Sequence, residues 1–353
     1  MNKTTPDIRQ GPRVWKGPDM MAQPDKWVYR LNQDDVEELE QAAEQFMNSG
    51  KSLPECTSNH FPLPNFSRVL SKFRLQLIHG IGFGLLRGLP IKRYSEQEYV
   101  TIFYGLGCHL GSPRSQNAAG HLLGHVRNQG KNPNDPTVRI YQTNARQTFH
   151  TDSCDVVGLL CVQPAKEGGL SLLVSADTVY NHILQRRPDL VNLLLQPIAT
   201  DRRGEVPEGE KPWLEIPILS YHQGQLTPFY QRQYIESAQR FADAPPLTSR
   251  HIEALDLFDE LCNSPELHLT MMLEKGDMQF VYNHGMLHDR TGFIDFEEPK
   301  LKRHLARLWL SIPGDRELPV VFKTRFGSIE PGNRGGIHTP TTVPTIPWLS
   351  KMP

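Results

Sequence analysis

Lys302-Arg303-His304-Leu305-Ala306-Arg307-Leu308-Trp309-Leu310 is an apolar run that carries two arginines in its first six residues. Its length and its leucine and tryptophan content read as a buried strand. Arg303 and Arg307 stand four apart, so a strand points both guanidiniums to one face. A guanidinium buried on a strand is costly unless it meets an anion. Its planar fork suits a carboxylate, which accepts two parallel hydrogen bonds from it. The anion can come from Asp289, Asp295 or Glu297, or it can be a bound dicarboxylate.

Runs of similar character occur at Val138–Tyr141, Asp155–Gln163, Ser171–Ser175 and Met278–Val281, and a shorter one spans Gly82–Gly88. Between them the sequence predicts helices. Asn32 caps one that starts at Gln33, has apolar residues at Val36, Leu39, Ala42, Ala43 and Phe46, and stops at Gly50. Ser95 and Glu98 form a capping box for a second, which runs to Leu110. A helical insertion covers Asp177–Leu195, divided by Pro188, and another pattern covers Thr248–Cys262. The 111–140 stretch is rich in Gly, Asn and Pro and is expected to be a long loop at the site. Strands with helical excursions but no regular βαβ alternation predict a mostly β chain with helical insertions, an antiparallel barrel or jelly roll. The 27 glycines and 29 prolines among 353 residues suit that reading. We expect residues 1–80 to form an arm and helices packed on the core, and 81–353 a single catalytic domain.

Thirty-eight Lys and Arg against 39 Asp and Glu leave a net charge of -1. That balance argues against a nucleic-acid partner and against a polybasic membrane anchor. The longest apolar run, Val156–Val162, is far short of the roughly 20 residues that span a bilayer. Five cysteines with no CxxC pair, and no apolar stretch behind the N-terminus, predict a reducing, cytoplasmic setting.

Phe149-His150-Thr151-Asp152 is the first chemical motif. On a strand, His150 and Asp152 face the same way and can present nitrogen and oxygen to one point. Asn283-His284-Gly285-Met286-Leu287-His288 supplies a second imidazole from far along the chain. Two histidines and one carboxylate leave coordination positions open, as non-haem Fe(II) requires when it must bind O2 and a co-substrate together.

His150-x-Asp152, a distal His288 and Arg303-x-x-x-Arg307 together resemble the taurine dioxygenase-like (TauD/TfdA) family of Fe(II)- and 2-oxoglutarate-dependent oxygenases. The Ala165–Ser175 segment and His288-Asp289-Arg290-Thr291-Gly292-Phe293 are also similar to family segments, and the likeness spans about residues 81–310. The resemblance implies a double-stranded β-helix core (jelly roll, cupin-like) flanked by helices. It implies His150, Asp152 and His288 as iron ligands and Fe(II), 2-oxoglutarate and O2 as reactants. It makes Arg303, helped by the Ser171 hydroxyl, the clamp for the far carboxylate of 2-oxoglutarate. Arg307 falls where relatives hold an anionic group of the substrate, and sharing the co-substrate is its other role. The implied reaction oxidises, by default hydroxylates, an unactivated C–H bond of a small anionic molecule or amino acid, releasing succinate and CO2. A homo-oligomer is compatible with all of this.

Other residues compete for these roles. His284 can share a face with His288, but the spacing to Arg303 favours His288. His121 and His125 have the i, i+4 spacing of zinc ligands, although Gly120 and Gly124 disfavour the helix they would need. Cys154 is expected to be a buried, inert thiol. Gln116 and Asn117 are candidates for substrate contact, and Arg290 for a bracing salt bridge. The tail from Phe326 to Pro353 covers either the pocket or a subunit contact. A zinc hydrolase built on the same triad, or a cupin-like binding protein without turnover, are the rival functions; the first leaves the arginine pair idle, and the intact ligands and carboxylate clamp argue against the second.

Overall fold

A computed structural model describes residues 6–349 except 134, 136 and 137. The first five residues of the expected arm and the last four of the tail lie outside this range. Two antiparallel sheets carry the molecule. The larger runs in the order Val28–Arg30, Phe83–Arg87, Met278–Tyr282, Val156–Gln163, His304–Ser311, with Ser112–Pro113 and Leu123–Val126 both paired to the last. Only Val28–Arg30 joins in parallel, at the edge. The smaller runs Leu269–Met271, Ser171–Ser175, Met286–Arg290, Gln147–His150.

The quoted 302–310 stretch explains how the layers stack. Leu305 and Trp309 pack with Val157, Cys161 and Val281 of their own sheet against Leu173, Leu269, Met271 and Met286 of the smaller one. Ala306, Leu308 and Leu310 point the other way, into the helices Gln33–Asn48, Phe66–His79 and Glu96–Leu110. Both faces are therefore covered, and every residue of His304–Ser311 is buried. Such a strand reads as a continuous apolar run, because neither face needs polar residues for water. Helices Ala176–Arg186, Pro188–Leu194 and Ser249–Cys262 cover the outer face of the smaller sheet through Leu172, Val174 and Leu287. Where the 156–163 strand crosses Phe280, only glycine fits: a Cβ on Gly158 would sit 2.8 Å from that ring.

The predicted caps are present. Asn32 and Asp35 form a reciprocal capping box, as do Ser95 and Glu98; Thr248, expected as the first helical residue, is instead the cap of the 249–262 helix. Pro188 starts its own helix, where a missing N–H costs nothing. Several expectations need correction. About 33% of the chain is helical and 23% strand, so helix outweighs strand and the fold is mixed rather than mostly β. Helix 66–79 accounts for part of the excess; its apolar residues at 66, 70, 73, 77 and 78 form a regular stripe that was there to be read. The predicted strand Val138–Tyr141 is instead a 3-10 turn at Ile140–Gln142, and the strand starts later, at Gln147. Residues on both sides of position 80 share one buried cluster.

Candidate active site

The two imidazoles meet because the smaller sheet pairs their strands. His288 lies directly opposite His150 in the register, and the rings sit 4.1 Å apart, centroid to centroid. Asp152 reaches them differently from the expectation. The 147–150 strand ends at His150, and Asp152 belongs to the turn that follows. That turn is pinned by Thr151, whose N–H donates to the Tyr230 carbonyl, and by Asp152, whose N–H donates to Asn283 Oδ1 at 3.0 Å. One ligand atom from each of His150, Asp152 and His288 lies within 4.8 Å of the others. All three residues are at most 8% exposed.

Their protonation suits a cation. Burial, then the neighbouring His150, pushes the His288 imidazole down to about 3. Burial likewise lowers His150, against the pull of Asp152. Burial disfavours a charge on Asp152, but the Arg307 guanidinium, both imidazoles and the Trp309 indole outweigh it and hold the carboxyl at about 2. At neutral pH the group is thus two neutral imidazoles and one carboxylate, the donor set of an open non-haem iron site. His150 Nδ1 lies 2.8 Å from the Thr148 carbonyl, which fixes it as the N–H and leaves Nε2 as the ligand atom. The Gln147 amide sits 2.8 Å from that Nε2 and must give way to a metal.

The same cavity, about 500 Å³, holds His150, His288, Ser171, Arg303 and Arg307 along its wall. Arg303 is 4% exposed. It makes no ion pair with any described carboxylate, and its Nη1 is buried without a partner. Of the acids nearby, Asp289 pairs with Arg146, and Asp295 accepts from the Arg303 backbone N–H through Oδ1, its Oδ2 lying buried without a partner and forming no ion pair with the Arg303 side chain. Its guanidinium lies over the Phe293 ring, 5.0 Å from the centroid, and burial pushes its pKa down to about 10. Gly169, at φ +69°, makes room for it; a Cβ there would stand 2.9 Å from Arg303 Nε. Ser171 Oγ donates to Gln279 Oε1 at 2.9 Å, a partner the sequence did not reveal.

Arg307 is placed on the iron side. Its Nη1 lies 3.3 Å from Asp152 Oδ2, its Nε donates to Gln116 Oε1 at 2.7 Å, and it covers the Tyr141 ring. Gln116 therefore holds Arg307. Arg290 makes no salt bridge among the described residues, contrary to expectation. It donates to the carbonyls of Thr143 and Ala145, and so fixes the segment before the iron motif. His284 turns away to Asp155 at 2.7 Å, and Cys154 is wholly buried against Asn283. His121 and His125 join no metal-binding group among the described residues; His125 contacts His304 and the Pro347 carbonyl. A wider cleft of about 1230 Å³ meets the site at Tyr141 and Arg307, with Gln116, Asn117 and His121 on its walls, so the predicted long loop does border the site.

A family model described as taurine catabolism dioxygenase TauD, TfdA family, matches residues 49–309. The chain belongs to the TauD/TfdA family. It is a non-haem iron, 2-oxoglutarate-dependent oxygenase. Among TauD/TfdA relatives it is 34% identical over 305 residues to FR-33289 synthase of Streptomyces rubellomurinus, covering 85% of this chain and 89% of that one. The fold matches asparagine oxygenase solved with Fe(II), 3-hydroxyasparagine and succinate (TM-score 0.60, 19% identity, 80% and 93% of the two chains). It also matches the oxygenase OrfP solved with Fe and alpha-ketoglutaric acid (TM-score 0.59, 15% identity, 80% and 93%). Among the described residues no helix is long and apolar enough to cross a membrane.

Proposed function

We propose that His150, Asp152 and His288 hold Fe(II), that Arg303 with Ser171 grips the far carboxylate of 2-oxoglutarate, and that the chain hydroxylates a C–H bond of a small anionic molecule. The observation that carries this reading is the buried Arg303, its Nη1 unpaired, on the wall of the cavity that also holds His150 and His288 of the His/Asp/His group. A buried guanidinium without an anion is a destabilising feature, and a dicarboxylate spanning from metal to Arg303 removes it. When bound, iron with O2 and 2-oxoglutarate supplies the oxidising power for the C–H bond and yields succinate and CO2.

The protein's own share is placement and dryness. Val157, Leu159, Leu273 and Leu305 line the cavity and keep water from the co-substrate's middle. Trp309 and Arg307 fix Asp152, and the Thr148 carbonyl fixes the His150 ring. Relatives acting on an amino acid, such as asparagine oxygenase, make a small polar substrate the natural expectation. The two facing sheets read as the double-stranded β-helix of this family, and five free cysteines suit a reducing, cytoplasmic setting.

Purified protein with Fe(II), 2-oxoglutarate and O2 should release succinate, and Zn(II) should not replace iron. Arg303→Ala should raise the 2-oxoglutarate concentration needed about 10- to 100-fold, the range expected when a charge-assisted hydrogen bond worth about 1.5–3 kcal/mol is lost. An unchanged requirement would refute the clamp. Hydrolysis supported by zinc alone would favour the rival hydrolase, and no iron affinity at all would favour a binding protein.

A further inference from the structure

All five cysteines are free, and two of them lie together. Cys56 closes the 3-10 turn Leu53–Glu55, and Cys108 belongs to the last turn of the Glu96–Leu110 helix. Cys108 Sγ donates to the Cys56 carbonyl at 3.4 Å, across 52 residues of chain, and Cys56 Sγ donates to the Thr57 carbonyl at 3.7 Å. The Cys108 thiol is also within hydrogen-bonding reach of the Cys56 sulfur. That contact lowers the Cys56 thiol below its usual range, against the effect of burial. The same contact, then burial, raises Cys108. One sulfur is thus readied as the thiolate while its neighbour keeps a proton.

The other three cysteines are different. Cys154, Cys161 and Cys262 are at most 1% exposed, and burial raises each of them. Cys56 instead lies between the exposed residues Glu55 and Thr57, and Cys108 is half-buried. Thiol oxidation follows thiolate character and access, and only this pair offers both.

We propose that Cys56 and Cys108 are a reversible oxidation site, which hydrogen peroxide closes to a disulfide between the 53–55 turn and the 96–110 helix. The Cys56 thiolate attacks peroxide, the O–O bond breaks, and Cys56 becomes a sulfenic acid; the departing hydroxide takes up the proton that the thiol lost. The Cys108 sulfur then attacks the Cys56 sulfur, forms the S–S bond and passes its proton to the second departing hydroxide. Two thiols and one peroxide become one disulfide and two waters. A dithiol reverses the step by exchange. The bond closes a loop of 52 residues, which restricts the unfolded chain. It also fastens the 96–110 helix, whose core packs against Leu308 and Leu310 of the His304–Ser311 strand. This proposal stands apart from the iron and 2-oxoglutarate reading.

The test uses the full chain, first reduced and then held with a chelator so that no iron turns peroxide into radicals. Hydrogen peroxide is added, remaining thiols are alkylated, and tryptic peptides are mapped without reductant. We expect peptide 52–68 joined to peptide 94–114, in a chain that has lost two hydrogens in mass, and dithiothreitol should separate the two. Before oxidation, Cys56 should alkylate about tenfold faster or more than Cys154, Cys161 or Cys262, the advantage of a thiolate near the surface. The oxidised protein should melt at a higher temperature than the reduced one. Cys56→Ser and Cys108→Ser should each abolish the cross-link and the rise in melting temperature. Both thiols still open to alkylation after peroxide, sulfinic acid at either without the cross-link, or disulfides that join separate chains overturn the proposal. If a serine variant does not fold, the peptide map of the parent decides alone.

Discussion

Trp309 Nε1 donates to Asp152 Oδ2 at 2.9 Å, onto the same carboxylate oxygen that Arg307 approaches at 3.3 Å. The strand that fills the core with Trp309 thereby also orients the proposed iron ligand, 157 residues away in sequence. Such outer partners set the direction and basicity of a ligand, and their loss typically costs about 10- to 100-fold in metal affinity. Trp309→Phe keeps the ring and removes the donor. Fe(II) affinity should fall within that range while the melting temperature changes little, and equilibrium dialysis of both proteins checks it.

Gly169→Ala tests the proposed Arg303 clamp without replacing it. The new methyl would press on Arg303 Nε, and φ +69° is disfavoured for alanine. The far end of Arg303 can shift, so the protein should fold with a loss of about 1–2 kcal/mol. The apparent KM for 2-oxoglutarate should rise severalfold, with Fe(II) affinity unchanged. Succinate-formation kinetics and metal titration separate the two.

Arg334 is buried between two acids, 2.6 Å from Asp155 and 2.6 Å from Asp315. Asp155 in turn accepts from the Ile312 N–H and contacts His284. Arg334→Met preserves bulk but strands both carboxylates without a cation. Breaking a buried pair from one side costs about 3–5 kcal/mol, and urea unfolding should show that loss.

Acid should weaken the fold through its buried imidazoles. His304 Nε2 lies 2.8 Å from His125 Nδ1, and burial, then His125, pushes His304 down to about 3. The folded state therefore resists a proton that the unfolded chain accepts below about 6.5. The stabilisation is present above pH 6.5 and is lost as pH falls from there towards 3, at up to about 1.4 kcal/mol per pH unit for this group. His304→Gln removes the titration. Its stability should fall less steeply than the parent's between pH 6.5 and 5, and an identical slope in thermal melts would refute the assignment.

Local rules made part of this molecule legible from the chain alone. Asn32, Ser95, Thr248 and Pro188 satisfy or relieve backbone groups within a few residues of themselves, so their helices could be placed from sequence. The apolar run at 302–310 announced a strand buried on both faces, and His150, Asp152, His288 and Arg303 stood out by chemistry and spacing. The 3-10 turn at Ile140–Gln142 reads as strand from its apolar residues, but they join no sheet, and Tyr141 lines the site cavity instead. What only the tertiary structure decided is who partners whom. That Asp295 leaves the Arg303 side chain free, that Arg307 is held by Gln116 and Asp152, and that Arg325 comes to rest beside Ser153 depend on contacts between distant segments. Charge pairing is governed by distance in space and by burial, and neither is a function of position along the chain.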